Sequence, residues 1–323
     1  MIDDLTTRIN AIADAYEEIR ATTQQVIVGN QPLIEEIFIC MISGGHLLIE
    51  GVPGTAKTTV CKIVAHLIDY DFRRVQGAVD LQPADIIGIR IYDREKSTFT
   101  LQRGPIFTNF LMVDEMNRLT PKTQSALLEA MSERQATIDG ITYPLPDPYF
   151  AIATQNPHEI EGTFPLIEAQ RDRFMFSSVL DHLNSENELE VLRREHAGEL
   201  DWKVYRDRVD PILDPTGVEA MAAAIREVRV DETVLGYMRD LVLATRNHGD
   251  VRLGASSRAS IALLRGSAAR AALNRRTYVI PDDVRALAPS TLRHRLLLTR
   301  EAAITGVTAE AIIADIVESV GVS

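Results

Sequence analysis

Five short apolar runs, His46–Glu50, Phe72–Gln76, Leu111–Asp114, Tyr149–Thr154 and Phe174–Leu180, alternate with helical patterns such as Thr58–Ile68 and Pro121–Arg134. Strands separated by helices cannot pair through tight turns, so the crossovers make them parallel. Near-continuous apolar character along each run indicates a sheet covered on both faces. The chain is therefore expected to build an α/β domain, an αβα core around a parallel five-stranded sheet.

Two interruptions break the alternation. Ile89-Arg90-Ile91-Tyr92 and Thr98-Phe99-Thr100-Leu101 flank a polar turn and read as a hairpin. Thr137–Thr142 is a stronger hairpin, because its central Asp139-Gly140 suits a two-residue type I′ turn. After about Asn184 the strands stop. Asn187–Glu195, Val218–Val228, Asp231–Thr245, Arg258–Leu273 and Pro281–Arg293 read as helices, the last opening with Pro and two acids. Residues 1–184 are thus expected to form the sheet domain and 185–323 an all-helical one. A length of 323 residues suits two domains at roughly 100–200 residues each. At the N-terminus, Ile2, Leu5, Ile9, Ile12, Tyr16 and Ile19 recur at 3/4 spacing, which reads as a helix packed on the domain.

Apolar residues make up 46% and charged residues 25%, which rules out disorder as the main state. The net charge of −12 is unevenly spread. Val251–Arg300 holds ten Arg, no Lys and two acids, a balance of +8, so the remainder is near −20. An acidic chain repels phosphate backbones, and the Ala136–Asp147 hairpin carries no Lys or Arg. No nucleic-acid partner is expected. Cys40 and Cys61 sit among apolar residues and read as core thiols of a reducing compartment. No apolar run approaches the roughly eighteen residues of a membrane span, and the N-terminus lacks a signal-peptide core, so a cytoplasmic location is expected.

The chemistry gathers in a few places. Gly51-Val52-Pro53-Gly54-Thr55-Ala56-Lys57-Thr58 follows one strand and opens a helix, the context of a phosphate-binding loop. Its backbone N–H groups and the helix N-terminus would face an anion. Lys57 would neutralise β- and γ-phosphates, and Thr58 would help hold Mg²⁺. Ala56 stands where the strict pattern has Gly, at low cost if its φ is negative. Asp114 and Glu115 end a buried strand about 55 residues later. Asp114 would join the Mg²⁺ shell and Glu115 would polarise the attacking water. Asn156, at another strand end, would reach the γ-phosphate or that water. Arg171 and Arg173 are both candidates for an arginine finger, and Arg258, opening a helix of the second domain, for a lid-borne sensor of the γ-phosphate.

These stretches together resemble the MoxR family of AAA+ ATPases. The resemblance runs through Gly51–Thr58, Val113–Arg118 into Pro121–Met131, Thr154–Pro157, Gly162–Leu166 through Ala169-Gln170 to Asp172–Phe174, and Gly254–Ser256. Ala56 is usual for that family, while Arg171 and Ser257 depart from it. The resemblance implies ATP hydrolysis with ATP and Mg²⁺ bound. Asn156 would be sensor 1, Arg173 the finger acting on a neighbouring subunit, and Arg258 sensor 2. The nucleotide would lie along residues 51–59, Thr59 included, with Val26–Gly29, and Val28 in it, against adenine. Both hairpins would face the pore of a hexameric ring. The family's habit implies chaperone-like remodelling or metal-cofactor maturation, a von Willebrand factor A partner and a client enzyme. A magnesium-chelatase-like subunit is the nearest alternative. A nucleic-acid motor is disfavoured by charge, and a degenerate scaffold by the intact Lys57, Asp114 and Glu115.

Overall fold

A computed structural model describes residues 2–52, 54–95, 97–156 and 162–322. Pro53 of the phosphate loop and Pro157 lie outside them. The chain opens with α1 (Ile2–Gln24) and α2 (Gln31–Ile42), then β1 (Leu47–Gly51), α3 (Lys57–Leu67) and β2 (Phe72–Gln76). A short α4 (Pro83–Ile87) leads into the hairpin β3 (Gly88–Asp93) and β4 (Thr98–Arg103). Next come β5 (Phe110–Asp114), a 3₁₀ turn at Met116–Arg118, α5 (Pro121–Glu133) and the hairpin β6 (Gln135–Ile138) and β7 (Ile141–Pro144). The sheet is completed by β8 (Phe150–Gln155), α6 (Glu168–Arg171) and β9 (Phe176–Leu180).

The five-stranded sheet has the order β2-β5-β8-β1-β9, and its neighbours pair in parallel. Period-two alternation sorts the strand side chains between two cores. Leu47, Ile49, Phe110, Met112, Phe150 and Ile152 face one core with α2 and α3. Leu48, Leu111, Val113, Ala151 and Ala153 face the other, with α5. β2 differs from the expected buried strand: among the described residues it is an edge strand, paired with β5, and Arg73, Arg74 and Gln76 are exposed. In the β6–β7 hairpin, Asp139 (φ 49°) and Gly140 (φ 76°) are both left-handed, as a type I′ turn requires. The β3–β4 hairpin stacks Tyr92 edge-on against Phe99 and leaves both half exposed.

The remaining chain is helical: α7 (Ser185–Ala197), α8 (Trp202–Arg206), α9 (Pro215–Ile225), α10 (Glu232–Asn247), α11 (Ser257–Leu273), α12 (Pro281–Leu292), α13 (Arg300–Ile304) and α14 (Ala309–Ser319). It is not wholly so. β10 (Val251–Leu253) pairs antiparallel with β11 (Leu297–Leu298), because both segments are extended and end beside each other. The 3₁₀ turn Arg293–Arg295 precedes β11. The N-terminal stripe is buried at Ile9, Ile12, Tyr16 and Ile19, but α1 lies against α9 and α11 as well as α2 and α3. One apolar cluster therefore runs from the sheet through α1 into the helical region. α11 approaches β9 closely at Gly266, where a Cβ would come within 2.8 Å of the Phe176 ring.

Candidate active site

The order β5-β8-β1 sets three C-terminal strand ends side by side, and each delivers expected residues. β1 runs into the Gly51–Thr58 loop and α3, β5 ends at Asp114, and Asn156 follows β8. In a parallel sheet this edge is where ligands gather. Gly51 is buried against β9; a Cβ there would lie 2.5 Å from the Leu180 carbonyl. Gly54 is left-handed at φ 85°. Val52 and Thr55 close the turn through a hydrogen bond from Thr55 Oγ1 to the Val52 carbonyl, 3.2 Å. Ala56 caps α3 with φ 56°, which corrects the expectation of a low-cost negative φ. A Cβ in the left-handed region costs roughly 1–2 kcal/mol, and the loop carries that strain so that the α3 N-terminus faces the site.

Lys57, Thr58 and Thr59 form the first turn of α3. Lys57 Nζ donates to the Gly51 and Val52 carbonyls at 2.8 and 2.9 Å, folding back over the loop. Burial pulls the Lys57 pKa down, while the carboxylates of Asp114 and Glu115 push it up. The ammonium and both acids thus share one electrostatic site.

The acids are held by residues that sequence reasoning did not single out. Thr154 Oγ1 donates to Asp114 Oδ1 at 2.6 Å and accepts from the Glu115 N–H at 3.0 Å. Arg74 donates to Asp114 Oδ2 at 2.6 Å. Arg118 Nε lies 3.1 Å from Glu115 Oε2. Glu115 itself is left-handed at φ 54°, a strained position of the kind found at functional turns. Thr154 could have been found from its place two residues before Asn156. Arg74 has no local signal, because its partner is forty residues away on the neighbouring strand.

Val26 and Ile27 are buried and Val28 is half-buried beside the loop. At Gly29 a Cβ would lie 3.1 Å from Leu183 Cδ2 and 3.2 Å from Asn187 Nδ2. Asn30 Nδ2 donates to the Thr55 carbonyl at 3.3 Å, tying this segment to the phosphate loop.

Arg173 and Arg258 are not part of this edge. Arg173 precedes β9, and its Nη1 donates to Ser132 Oγ at 2.7 Å and the Leu128 carbonyl at 3.4 Å on α5. Arg258, expected as a lid sensor of the γ-phosphate, lies with Arg173. Its Nη1 is 3.4 Å from Asp172 Oδ2. Both line a cleft of about 310 Å³ with Gly44, Gly45 and His46, at the N-terminal end of β1. The five residues of β1 put roughly 16 Å between that cleft and the Lys57 loop. Much of the Arg-rich stretch is paired within the chain: Arg270 with Glu35, Arg275 with Asp14, Arg276 with Asp283 and Arg293 with Glu310.

A family model for the "ATPase family associated with various cellular activities (AAA)" matches residues 46–176, and one for the AAA lid domain matches 243–316. Chaperone MoxR1 of Mycobacterium tuberculosis is 36% identical over 327 residues, covering 98% of this chain and 84% of its own. The chain belongs to the MoxR family of AAA+ ATPases. Protein YeaC of Bacillus subtilis, itself uncharacterized, is 42% identical over 299 residues, 92% of either chain. A crystal structure from Cytophaga hutchinsonii, of a protein assigned as an ATPase, superposes with a TM-score of 0.91 at 39% identity, covering 100% of this chain and 99% of its own. This MoxR-family protein is accordingly an ATP-binding ATPase, with an AAA core and an AAA lid. Among the described residues no helix is long and apolar enough to cross a membrane.

Proposed function

We propose that this ATPase works as a ring, probed below as a mixed assembly, in which each ATP lies between two subunits. The observation that carries this reading is the division of the candidate residues between opposite ends of β1. One subunit supplies Lys57, Thr58, Asp114, Glu115 and Asn156, and its neighbour supplies Arg173 and Arg258. The loop amides and Lys57 bind the β- and γ-phosphates, and the Val26–Gly29 segment with Val28 lines the base. Glu115 orients and polarises the attacking water, and Asn156 positions the γ-phosphate or that water. The neighbour's Arg173 neutralises charge developing on the γ-phosphoryl group.

Thr58 and Asp114 suit Mg²⁺: they offer hard oxygen donors beside the phosphate loop, and this ion needs only one or two protein ligands when phosphates supply the rest. When bound, it neutralises the charge on the β- and γ-oxygens. The Arg74 and Thr154 contacts leave lone pairs on the Asp114 carboxylate for it.

We further propose that hydrolysis in a hexamer drives chaperone-like remodelling of client proteins. The relative in M. tuberculosis is named a chaperone, and the β3–β4 hairpin exposes Ile89, Ile91, Tyr92 and Phe99 for transient apolar contact. Metal-cofactor maturation of a client enzyme, with a von Willebrand factor A partner in the cytoplasm, is the specific form that the family resemblance suggests.

The test is subunit mixing. Arg173→Ala should bind ATP and lose about 10³–10⁵ in turnover, or about 4–7 kcal/mol in barrier. Lys57→Ala should not bind ATP. Mixed, the two inactive proteins should regain partial activity, because an Arg173→Ala subunit keeps its own ATP site and borrows Arg173 from a Lys57→Ala neighbour. Absence of recovery in verified mixed assemblies would refute action in trans.

A further inference from the structure

We propose that Arg295, with Asp172, is a positioning residue for the arginine finger, so that the lid of a subunit sets the finger which that subunit presents. The proposal rests on the reading that Arg173 acts on a neighbour's ATP.

Asp172 joins the lid to the finger. It accepts Ser256 Oγ at 2.9 and 2.8 Å on its two oxygens, Arg258 Nη1 at 3.4 Å, and Arg295 Nε at 2.9 Å. All three donors come from the lid: two from the start of α11, one from the 3₁₀ turn after α12. Arg295 continues past the carboxylate. Its Nη2 donates to the Phe174 carbonyl at 2.6 Å, and its Nη1 to the Met175 carbonyl at 3.1 Å and to the Thr291 carbonyl. His294 adds its Nε2 to the same Phe174 carbonyl at 3.2 Å. The backbone on both sides of Arg173 is thus held by lid groups. The Arg173 side chain is exposed and hydrogen-bonds to α5.

The Arg295 side chain is 2% exposed. Burying a guanidinium costs several kcal/mol in lost hydration, and an apolar residue would fill the space without that cost. What an apolar residue would not do is fix the direction of the Asp172–Met175 segment through the Asp172 carboxylate and the Phe174 and Met175 carbonyls. Arg258 hangs on the same carboxylate, so one side chain joins the lid sensor candidate to the backbone beside the finger. A lid displacement that keeps these bonds moves the backbone on either side of Arg173.

The experiment compares Arg295→Gln with the mixing pair above. Alone, Arg295→Gln should fold, keep its KM for ATP within about threefold and lose about 10–100-fold in kcat, the scale of an ångström-sized misplacement. Mixed with Lys57→Ala it should regain activity, since its own site is intact and the neighbour's finger is well set. Mixed with Arg173→Ala it should not, since neither subunit then offers a working finger. Asp172→Asn, which keeps the Ser256 contact, should show the same directional pattern with a smaller loss. A role in stability alone predicts a defect that no partner repairs. If Arg173→Ala recovers with Lys57→Ala but Arg295→Gln does not, the positioning proposal is overturned while the trans finger stands. If neither recovers, the trans reading itself falls and the proposal with it. Parent-like turnover of Arg295→Gln alone would also overturn it.

Discussion

Gly77→Ala is a one-carbon change that should uncouple ATP binding from hydrolysis. Gly77 follows β2, and its N–H donates to the Asp114 carbonyl at 2.7 Å. A Cβ on Gly77 would stand 2.1 Å from the Glu115 carbonyl oxygen, 2.9 Å from its carbon and 3.0 Å from the Asp114 oxygen. All three are backbone atoms, so no rotamer change relieves the clash. Opening 2.1 Å to the 3.0 Å floor of real Cβ contacts needs a shift of about 1 Å. If the acidic turn moves, Glu115 leaves its hydrogen bond to Thr154; if β2 moves, the Gly77–Asp114 bond lengthens and the Arg74 contact to Asp114 goes with it. A misplacement of about 1 Å at a reacting group costs about 10²-fold in rate, or about 2.7 kcal/mol in barrier. The phosphate loop sits on β1, separated from β2 by β5 and β8, so ATP affinity should hold within about threefold. Calorimetric ATP titration and phosphate release on the same preparation test the pair of claims. A kcat within threefold of the parent would show that the acidic turn tolerates the shift, and the positioning argument would fail.

Three further outcomes are expected. Glu115→Gln should bind ATP normally and not turn it over, because Gln keeps the shape and loses the carboxylate; parent-like phosphate release would remove Glu115 from the mechanism. Ala56→Gly should raise stability by up to about 1 kcal/mol, since relief of left-handed strain, roughly 1–2 kcal/mol, exceeds the added freedom of the unfolded chain, about 0.4–1 kcal/mol; a lower melting temperature by scanning calorimetry would contradict it. His46 is buried with Nε2 on the Met131 carbonyl and Nδ1 receiving the Ala151 N–H, and burial pulls its pKa down to about 4. The unfolded chain takes up this proton first, near pH 6.5, so the stabilisation is complete above 6.5 and is lost as pH falls toward 4, by about 3 kcal/mol. His46→Gln should therefore flatten the melting-temperature profile between pH 4 and 6.5 relative to the parent, and an unchanged slope would exclude His46 as its source.

Local pattern was enough for several features, each for a physical reason. Apolar runs between helices admit only parallel pairing, so the strands of the sheet were legible to within a residue or two. Asp139-Gly140 tolerates two left-handed residues in succession, so the second hairpin and its turn were legible as well. The strand–loop–helix at Gly51–Thr58 and the strand ending at Asp114 were readable because each joins an apolar run to residues that strand burial alone does not explain. The helix Gln31–Ile42 was less so, since its run from Ile37 to Ile42 is apolar on every side and shows no period.

Tertiary structure decided what spacing along the chain does not encode. Strand order is a matter of non-local pairing, and it is the insertion of β8 between β5 and β1 that brings Asn156 and Thr154 beside Asp114 and the Lys57 loop. The same pairing put Arg74 onto Asp114, and the close approach of two backbones at Gly77 left room for no side chain. The seating of the lid decided the rest. By packing α11 and the Arg293–Arg295 turn against the start of β9, it carried Arg258 to Arg173, a strand's length from the Lys57 loop. Sequence supplied both arginines and both ends of the strand. Only the fold could say which end each arginine occupies, because that depends on contacts between segments more than eighty residues apart.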